Sequence, residues 1–331
     1  MKTRVLFQLY TLPAVFMLLL LSACGNEVPI NAKWKETIIV YGTLDPQAKT
    51  QYIRIEKAFL DENSGALQVA KIADSLYLDS AKVTLLQLGS SPRTIPMVRT
   101  QVLPKDSGIF ANDKNPLWTT TEPIIANTEY RIEIQNLRTG NVITANTKTV
   151  GSMQIFSPFR DSTSKFSCLT DFIAFSFTPG ENARAYDVQM HVVYDEWKQA
   201  DTTKKTRKTA VWYLMTNFST EPGVRALNQV PRKAFQQFLT STIHTDSVTF
   251  HRLRWVGLTM YGGNQTLLDY ISVNEPSIGI VQKQSEYTNI NGGYGIFASR
   301  CMQRIDRVPI DPASIYYLRT NSLSKSLNLV P

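Results

Sequence analysis

Thr128-Glu129-Tyr130-Arg131-Ile132-Glu133-Ile134-Gln135 alternates apolar and polar side chains without a break. Tyr130, Ile132 and Ile134 fall on one side, and Glu129, Arg131 and Glu133 on the other. A strand sends successive side chains to opposite faces, so this octet reads as a strand of a sheet with one wet face. Leu137-Arg138-Thr139-Gly140-Asn141 after it is a hairpin-turn signal, and Val142 to Thr149 is the returning strand.

Working outward, the same period recurs. Thr37 to Leu44 is rich in β-branched residues and stops at Asp45-Pro46, a turn signal. Thr50 to Ala58 puts Ile53 and Ile55 on one face and Arg54 and Glu56 on the other. Ala81 to Leu88 and Pro96 to Leu103 are further strand signals. Leu67 to Leu78 departs from the pattern and reads as a short helical insertion. So many short strands without a long helix predict an immunoglobulin-like β-sandwich over residues 36–150.

Gly151 to Lys165 is serine-rich, carries Pro158 and reads as a boundary. Residues 151–331 then form a second β-rich domain with one or two short helices. Its strands are Asp171 to Thr178, Ala185 to Tyr194, Lys208 to Asn217, Thr249 to Tyr261 and Gly295 to Met302, with Ser314 to Leu318 as the last. Pro231 opens a helix through Leu239, where Ala234, Phe235, Phe238 and Leu239 recur at helical spacing. Leu267 to Val273 fits either strand or helix.

The N-terminus carries an address. Lys2 and Arg4 precede an apolar run, Leu12 to Leu21, and Leu21-Ser22-Ala23-Cys24 reads as a lipoprotein cleavage site. Residues 1–23 are then a signal peptide, Cys24 is the lipidated N-terminus, and residues 24–35 are a tether in which Trp34 is a docking point. A run of ten apolar residues is too short for a bilayer, which needs about 20. Loss of Lys2 and Arg4 lowers the net charge from +8 to +6. That basicity suits anionic headgroups or an acidic partner, and an exported chain is not expected to meet nucleic acid. With Cys24 acylated, Cys168 and Cys301 remain. They allow one disulfide or two buried free thiols.

The motifs that carry chemistry are sparse. His191, His244 and His251 lack metal-ligand spacing, and no Cys-x-x-Cys is present, so no metal or cofactor is expected. Asp195-Glu196 beside Trp197 reads as a strand-end turn; adjacent strand carboxylates point to opposite faces and cannot act as a glycosidase pair. Asn291-Gly292-Gly293-Tyr294-Gly295 and Gly262-Gly263-Asn264 read as tight turns, and no phosphate loop follows either. Lys204-Lys205-Thr206-Arg207-Lys208 reads as a solvated hairpin loop, or else as a contact for phosphate-bearing headgroups or an acidic partner. Trp212 and Trp255 read as core, and Trp118 and Trp197 as exposed rings.

Three stretches resemble the DUF4249-type family of Bacteroidetes lipoproteins. They are Val40-Tyr41-Gly42-Thr43-Leu44-Asp45-Pro46 with Tyr52 to Leu60; Asn127 to Ile134 leading to Thr147-Lys148-Thr149-Val150; and Tyr287 to Arg300 around Asn291-Gly292-Gly293-Tyr294-Gly295. The resemblance implies an immunoglobulin-like N-terminal domain, outer-membrane attachment on the periplasmic face or the cell surface, and association with TonB-dependent transporters. It carries over no catalytic residues. Together these readings predict a non-enzymatic, lipid-anchored accessory that binds a small-molecule, glycan or protein ligand, with the turns near Gly262 and Gly292 as first places to look. The alternative is a structural or anchoring subunit of a fimbria-like assembly, whose exchangeable segment would be the tail Asn321 to Val330. A glycan or peptide hydrolase is a third reading.

Overall fold

A computed structural model describes residues 37–58, 66–220, 223–274 and 286–331. The signal peptide, Cys24, the tether and Trp34 lie outside them.

The first core closes around the octet Thr128 to Gln135. Tyr130, Ile132 and Ile134 of β7 (Glu129–Asn136) are buried while Arg131 is exposed. β7 is central in a sheet ordered β4-β3-β7-β8, with β3 (Ala81–Gln87), β4 (Arg93–Pro96) and β8 (Val142–Lys148). The hairpin turn closes as expected: the Gly140 amide donates to the Asn136 carbonyl at 2.8 Å, with Gly140 at φ +75°. β1 (Ile38–Leu44), β2 (Gln51–Lys57), β5 (Val98–Thr100) and β6 (Leu117–Thr120) cover the octet's apolar face. They bury Val40, Leu44, Ile53 and Ile55 against Val83, Leu85 and Ile132, so two sheets pack face to face. The insertion expected at Leu67 to Leu78 is a pair of one-turn helices, α1 (Ala66–Val69) and α2 (Ala73–Leu76).

The second core lies between a three-stranded sheet and a set of long strands. The small sheet orders β13-β10-β9, with β9 (Gln154–Ser157), β10 (Phe172–Thr178) and β13 (Ala226–Pro231). The long strands are β11 (Ala183–Lys198), β12 (Thr206–Ser219), β14 (Thr249–Asn264) and β15 (Tyr294–Val308). Phe175, Phe177, Val188, Met190, Leu258 and Met260 meet there, and α3 (Arg232–Thr242) adds Phe235 and Leu239.

β15 serves both cores. Its first half pairs in parallel with β1, from Ile39↔Tyr294 to Leu44↔Ser299, and its second half pairs antiparallel with β14. The result is one eight-stranded sheet, β12-β11-β14-β15-β1-β2-β6-β5. Ile290 and Phe297 thereby belong to the first core although they lie late in the sequence. The molecule is mainly β, as expected. Among the described residues no helix is long and apolar enough to cross a membrane.

Several local expectations are corrected. Ser314 to Leu318 is part of a helix, α5 (Pro312–Thr320): Pro312 starts it, and Asp311 accepts the Ser314 amide at 3.1 Å. The ambiguous Leu267 to Val273 lies in α4 (Gln265–Asn274). Pro231 caps α3 from outside rather than opening it. The boundary segment contains β9, and the strand expected at Pro96 to Leu103 stops at Thr100. Gly262-Gly263-Asn264 is not a turn; it continues β14, with Gly262 opposite Cys301 and Gly263 opposite Arg300. Asp195-Glu196-Trp197 is likewise inside β11, where Asp195 and Glu196 continue the β12 ladder opposite Arg207 and Thr206 and Trp197 pairs with Phe250 of β14.

Candidate ligand-binding cleft

β11, β12, β14 and β15 bury one face and leave the other open. On the open face Val193 stands opposite Thr209 and Trp255, and His191 opposite Val211 and Gly257. The ladder between β14 and β15 slips between Val256 and Leu258, and Arg307, in the slipped stretch, takes φ +58°. Such bulges re-aim side chains, and a non-glycine residue in the left-handed region is a strained position held by its surroundings. Gly257 leaves room for Asp306, whose Oδ1 would lie 2.5 Å from any Cβ added there.

These features frame a cleft of about 270 Å³ containing Arg207, Arg304 and Arg307 beside the Trp255 indole. The Arg207 guanidinium lies 5.0 Å from the Trp255 ring, and its Nε donates to Asp195 Oδ1 at 2.9 Å. Arg254 approaches the same carboxylate at 3.5 Å. The Arg207 hydrogen bond, reinforced by the charges of Arg207 and Arg254, holds the Asp195 carboxyl below the usual range against the opposing effect of burial. Arg304 pairs with Asp306 at 2.6 Å. Arg307 has no ion pair or hydrogen bond among the described residues. His191 places Nε2 3.1 Å from Thr259 Oγ1. Burial, then the neighbouring Arg304, pushes its pKa down, so it stays neutral at neutral pH. Of the three arginines that line the cleft, Arg207 is paired with Asp195 and Arg304 with Asp306, so its unanswered positive charge is that of Arg307. Planar guanidinium forks over an aromatic floor suit a carboxylate or phosphate oxyanion.

A second cleft of about 320 Å³ opens at the other end of the same face, where Leu267 and Ile271 of α4 overhang Gln189, Tyr261 and Arg300. The two share β11: Gln189 lines one and His191 the other. Gly262 lines the second cleft as a strand residue, whereas Gly292 sits in the turn before β15 at φ +84° and lines neither.

The other residues singled out in the sequence are dispersed. Asp195 and Glu196 do point apart: Asp195 meets Arg207, while Glu196 takes Lys208 at 2.7 Å and lies 3.4 Å from His251. The basic run is largely consumed within the chain. Lys204 is 3.6 Å from Asp201, Lys205 lies 4.8 Å from the Trp197 ring, and Arg207 and Lys208 sit in β12 on their carboxylates. The exposed rings expected at Trp118 and Trp197 are corrected, while Trp212 packs against the second core as expected. Trp118 and Trp197 are both 8% exposed. Trp212, on edge strand β12, stacks on Phe238 at 5.2 Å and is only half-buried, as is Trp255. The disulfide allowed by the cysteine count is not formed: Cys168 and Cys301 are both buried free thiols. Cys168 lies beside α5, where its amide donates to Ser314 Oγ, and Cys301 lies opposite Gly262 in β14. Among the described residues no group of three His, Cys, Asp or Glu is placed to hold a metal ion.

Arg304, Asp306 and Arg307 lie beyond Met302, where the sequence pattern ends the expected strand, in the part of β15 that runs to Val308. The alternation Cys301, Gln303, Ile305 against Met302, Arg304, Asp306 was nevertheless present to extend it.

No protein-family model matches the chain, and a search of curated proteins returns no match. Among solved structures, the C-terminal globular domain of an oligosaccharyltransferase from Pyrococcus abyssi is similar at 9% identity, with a TM-score of 0.20. The match covers 69% of this chain and 48% of that one, so the chain spans about half the length of that structure. A likeness this slight carries no argument about function.

Proposed function

We propose that this chain is a non-enzymatic, lipid-anchored outer-membrane protein that binds an anionic ligand through the arginine cleft, as an accessory to a TonB-dependent uptake system. The observation that carries the binding part is the cleft itself: three guanidiniums, one of them without a partner among the described residues, around an indole on an open sheet face. The anchor rests on Leu21-Ser22-Ala23-Cys24, and the transporter association on the DUF4249-type resemblance, which also supports an immunoglobulin-like first domain.

The binding test is calorimetry on the full-length protein with glucuronate, inorganic phosphate and neutral glucose as probes. Binding of an anion but not of glucose, weakened by salt and reduced about tenfold by Arg307→Ala, is the expected result. Equal affinity for glucose and glucuronate would remove the anionic reading. Capture of the tagged protein from solubilised native membranes tests the accessory role; stoichiometric recovery of a TonB-dependent barrel is expected.

The filament alternative fares less well. Its exchangeable segment would be the tail, but Leu327 and Leu329 are buried and Leu329 bridges His251 of β14 in the same chain.

A further inference from the structure

The end of the first core that receives the N-terminal segment also presents a cluster of exposed apolar side chains. Thr37 accepts the Ala58 amide at 2.7 Å, and Ile38 pairs with Lys57. One residue away, Glu56 bridges Tyr77. The loop between β5 and β6 is built onto this corner. Its stem is fixed: Asn115 donates to the Leu103 carbonyl and accepts from Arg54, Tyr77 donates to the Lys114 carbonyl, and the Ala111 amide reaches Ala70 at 2.9 Å. Its tip is apolar and in solvent, with Val102 68%, Ile109 61% and Phe110 52% exposed. Single exposed apolar residues are ordinary, but a cluster held out on a fixed stem marks a contact surface.

We infer that this loop dips into the phospholipid surface to which the chain is anchored. The inference rests on the anchored reading above. Thr37 is thirteen residues beyond Cys24, a reach of at most about 45 Å for extended chain, so an acylated Cys24 keeps this corner near the bilayer. Three of the charges at the corner are held locally: Lys114 pairs with Asp74 at 2.7 Å, Arg99 with Asp79 at 2.8 Å, and Lys105 donates to Tyr77 and lies 5.8 Å from the Phe110 ring. Asp106 and Asp113 of the same loop are exposed. The tip therefore offers apolar area flanked by two carboxylates, which suits the interface of a zwitterionic leaflet better than that of an anionic one. β15 adds a directional consequence. Tyr294 is level with Ile39, and the strand runs on from there to Arg304; that length is roughly 33 Å of extended chain. A loop seated in lipid would hold the arginine cleft away from the membrane.

The test uses the lipidated full-length protein carrying Phe110→Cys labelled with the environment-sensitive fluorophore NBD. Cys168 and Cys301 are buried, so the label is selective. The protein is reconstituted with vesicles of phosphatidylethanolamine and phosphatidylcholine, and Leu227→Cys, at a residue 63% exposed in β13, is the control. A blue shift and a severalfold intensity gain at position 110, quenched by brominated lipid and absent at 227, is expected. Co-flotation with vesicles while position 110 keeps its aqueous emission overturns the inference and leaves the anchor intact. A blue shift already present before lipid is added also overturns it, since another protein surface would then cover the tip. Failure to float overturns the anchored reading and the inference with it.

Discussion

Ser299 of β15 donates its hydroxyl to the Leu44 carbonyl of β1 at 2.8 Å and accepts the Val150 amide at 3.1 Å. The side chain is fully buried at the point where β1, β15 and the end of the first core's chain segment meet. One hydroxyl therefore satisfies a donor and an acceptor that water cannot reach. Ser299→Ala leaves both unpaired and should cost about 1–3 kcal/mol in urea unfolding. A loss below about 0.5 kcal/mol would show that the junction relaxes to other partners.

Gly295 governs the same junction from its other end. It sits at φ +99°, and a Cβ there would run into the Val40 carbonyl across the parallel ladder. Gly295→Ala combines left-handed strain with a backbone clash and should cost about 3 kcal/mol or more. Gly140 shares the positive φ but has nothing within 4 Å of its added Cβ. Gly140→Ala should cost about 1 kcal/mol. Equal effects in thermal unfolding would contradict the clash.

Acid should loosen the tail. His251 Nδ1 lies 2.6 Å from the Leu327 carbonyl, which can only accept, so that nitrogen carries the proton. On the ring's other side Nε2 faces Glu196 Oε2 at 3.4 Å. Burial raises the Glu196 pKa, but the hydrogen bond and charge of Lys208, with the adjoining His251 ring, outweigh it and leave the carboxyl below its ordinary 4.5. A depressed folded-state value means the stabilisation is complete above the unfolded value and is lost as pH falls through the folded one. The urea midpoint should therefore fall below about pH 4.5, and Glu196→Gln should lower stability at pH 7 while flattening that acid slope. An unchanged slope in the variant would remove Glu196 from the account.

The two core thiols should be silent in the native protein. Burial, then the charge of Asp45, pushes Cys301 up to about 12, and burial raises Cys168 against a hydrogen bond to Ser314. The reactive species is the thiolate, so Ellman's reagent should find no thiol at pH 8 in the folded state. In denaturant it should find both, with or without prior reductant. Recovery only after reduction would mean a disulfide.

In the first core β1, β2, β3, β7 and β8 were legible because each alternates buried and wetter residues, whereas β4 and β6 were not, β6 burying Leu117, Trp118 and Thr120. β2 and β7 alternate cleanly, and Gly140 marks their kind of turn, so period and punctuation agree. The second core was less legible where strands are buried on one face and half-covered on the other. β11 carries Val192, Val193 and Tyr194 buried in succession, which breaks the alternation and hides the continuation to Trp197. Ser314 to Leu318 is too short for its period to separate strand from helix, and the decisive signal was the Asp311-Pro312 start. The arginine cleft was invisible because Arg207, Trp255 and Arg304 come from three strands far apart in sequence.

The sequence by itself determined the β-rich class, the hairpin at Gly140, the helix after Pro231 and the separation of Asp195 from Glu196, because each depends on period or backbone conformation within a few residues. Tertiary structure alone decided that Tyr294 to Ser299 would pair with Ile39 to Leu44, that two thiols would stay apart, and that three arginines would line one cleft with Trp255. Those outcomes depend on strand order and register between distant segments, and a local alternation of apolar and polar residues is compatible with many orders.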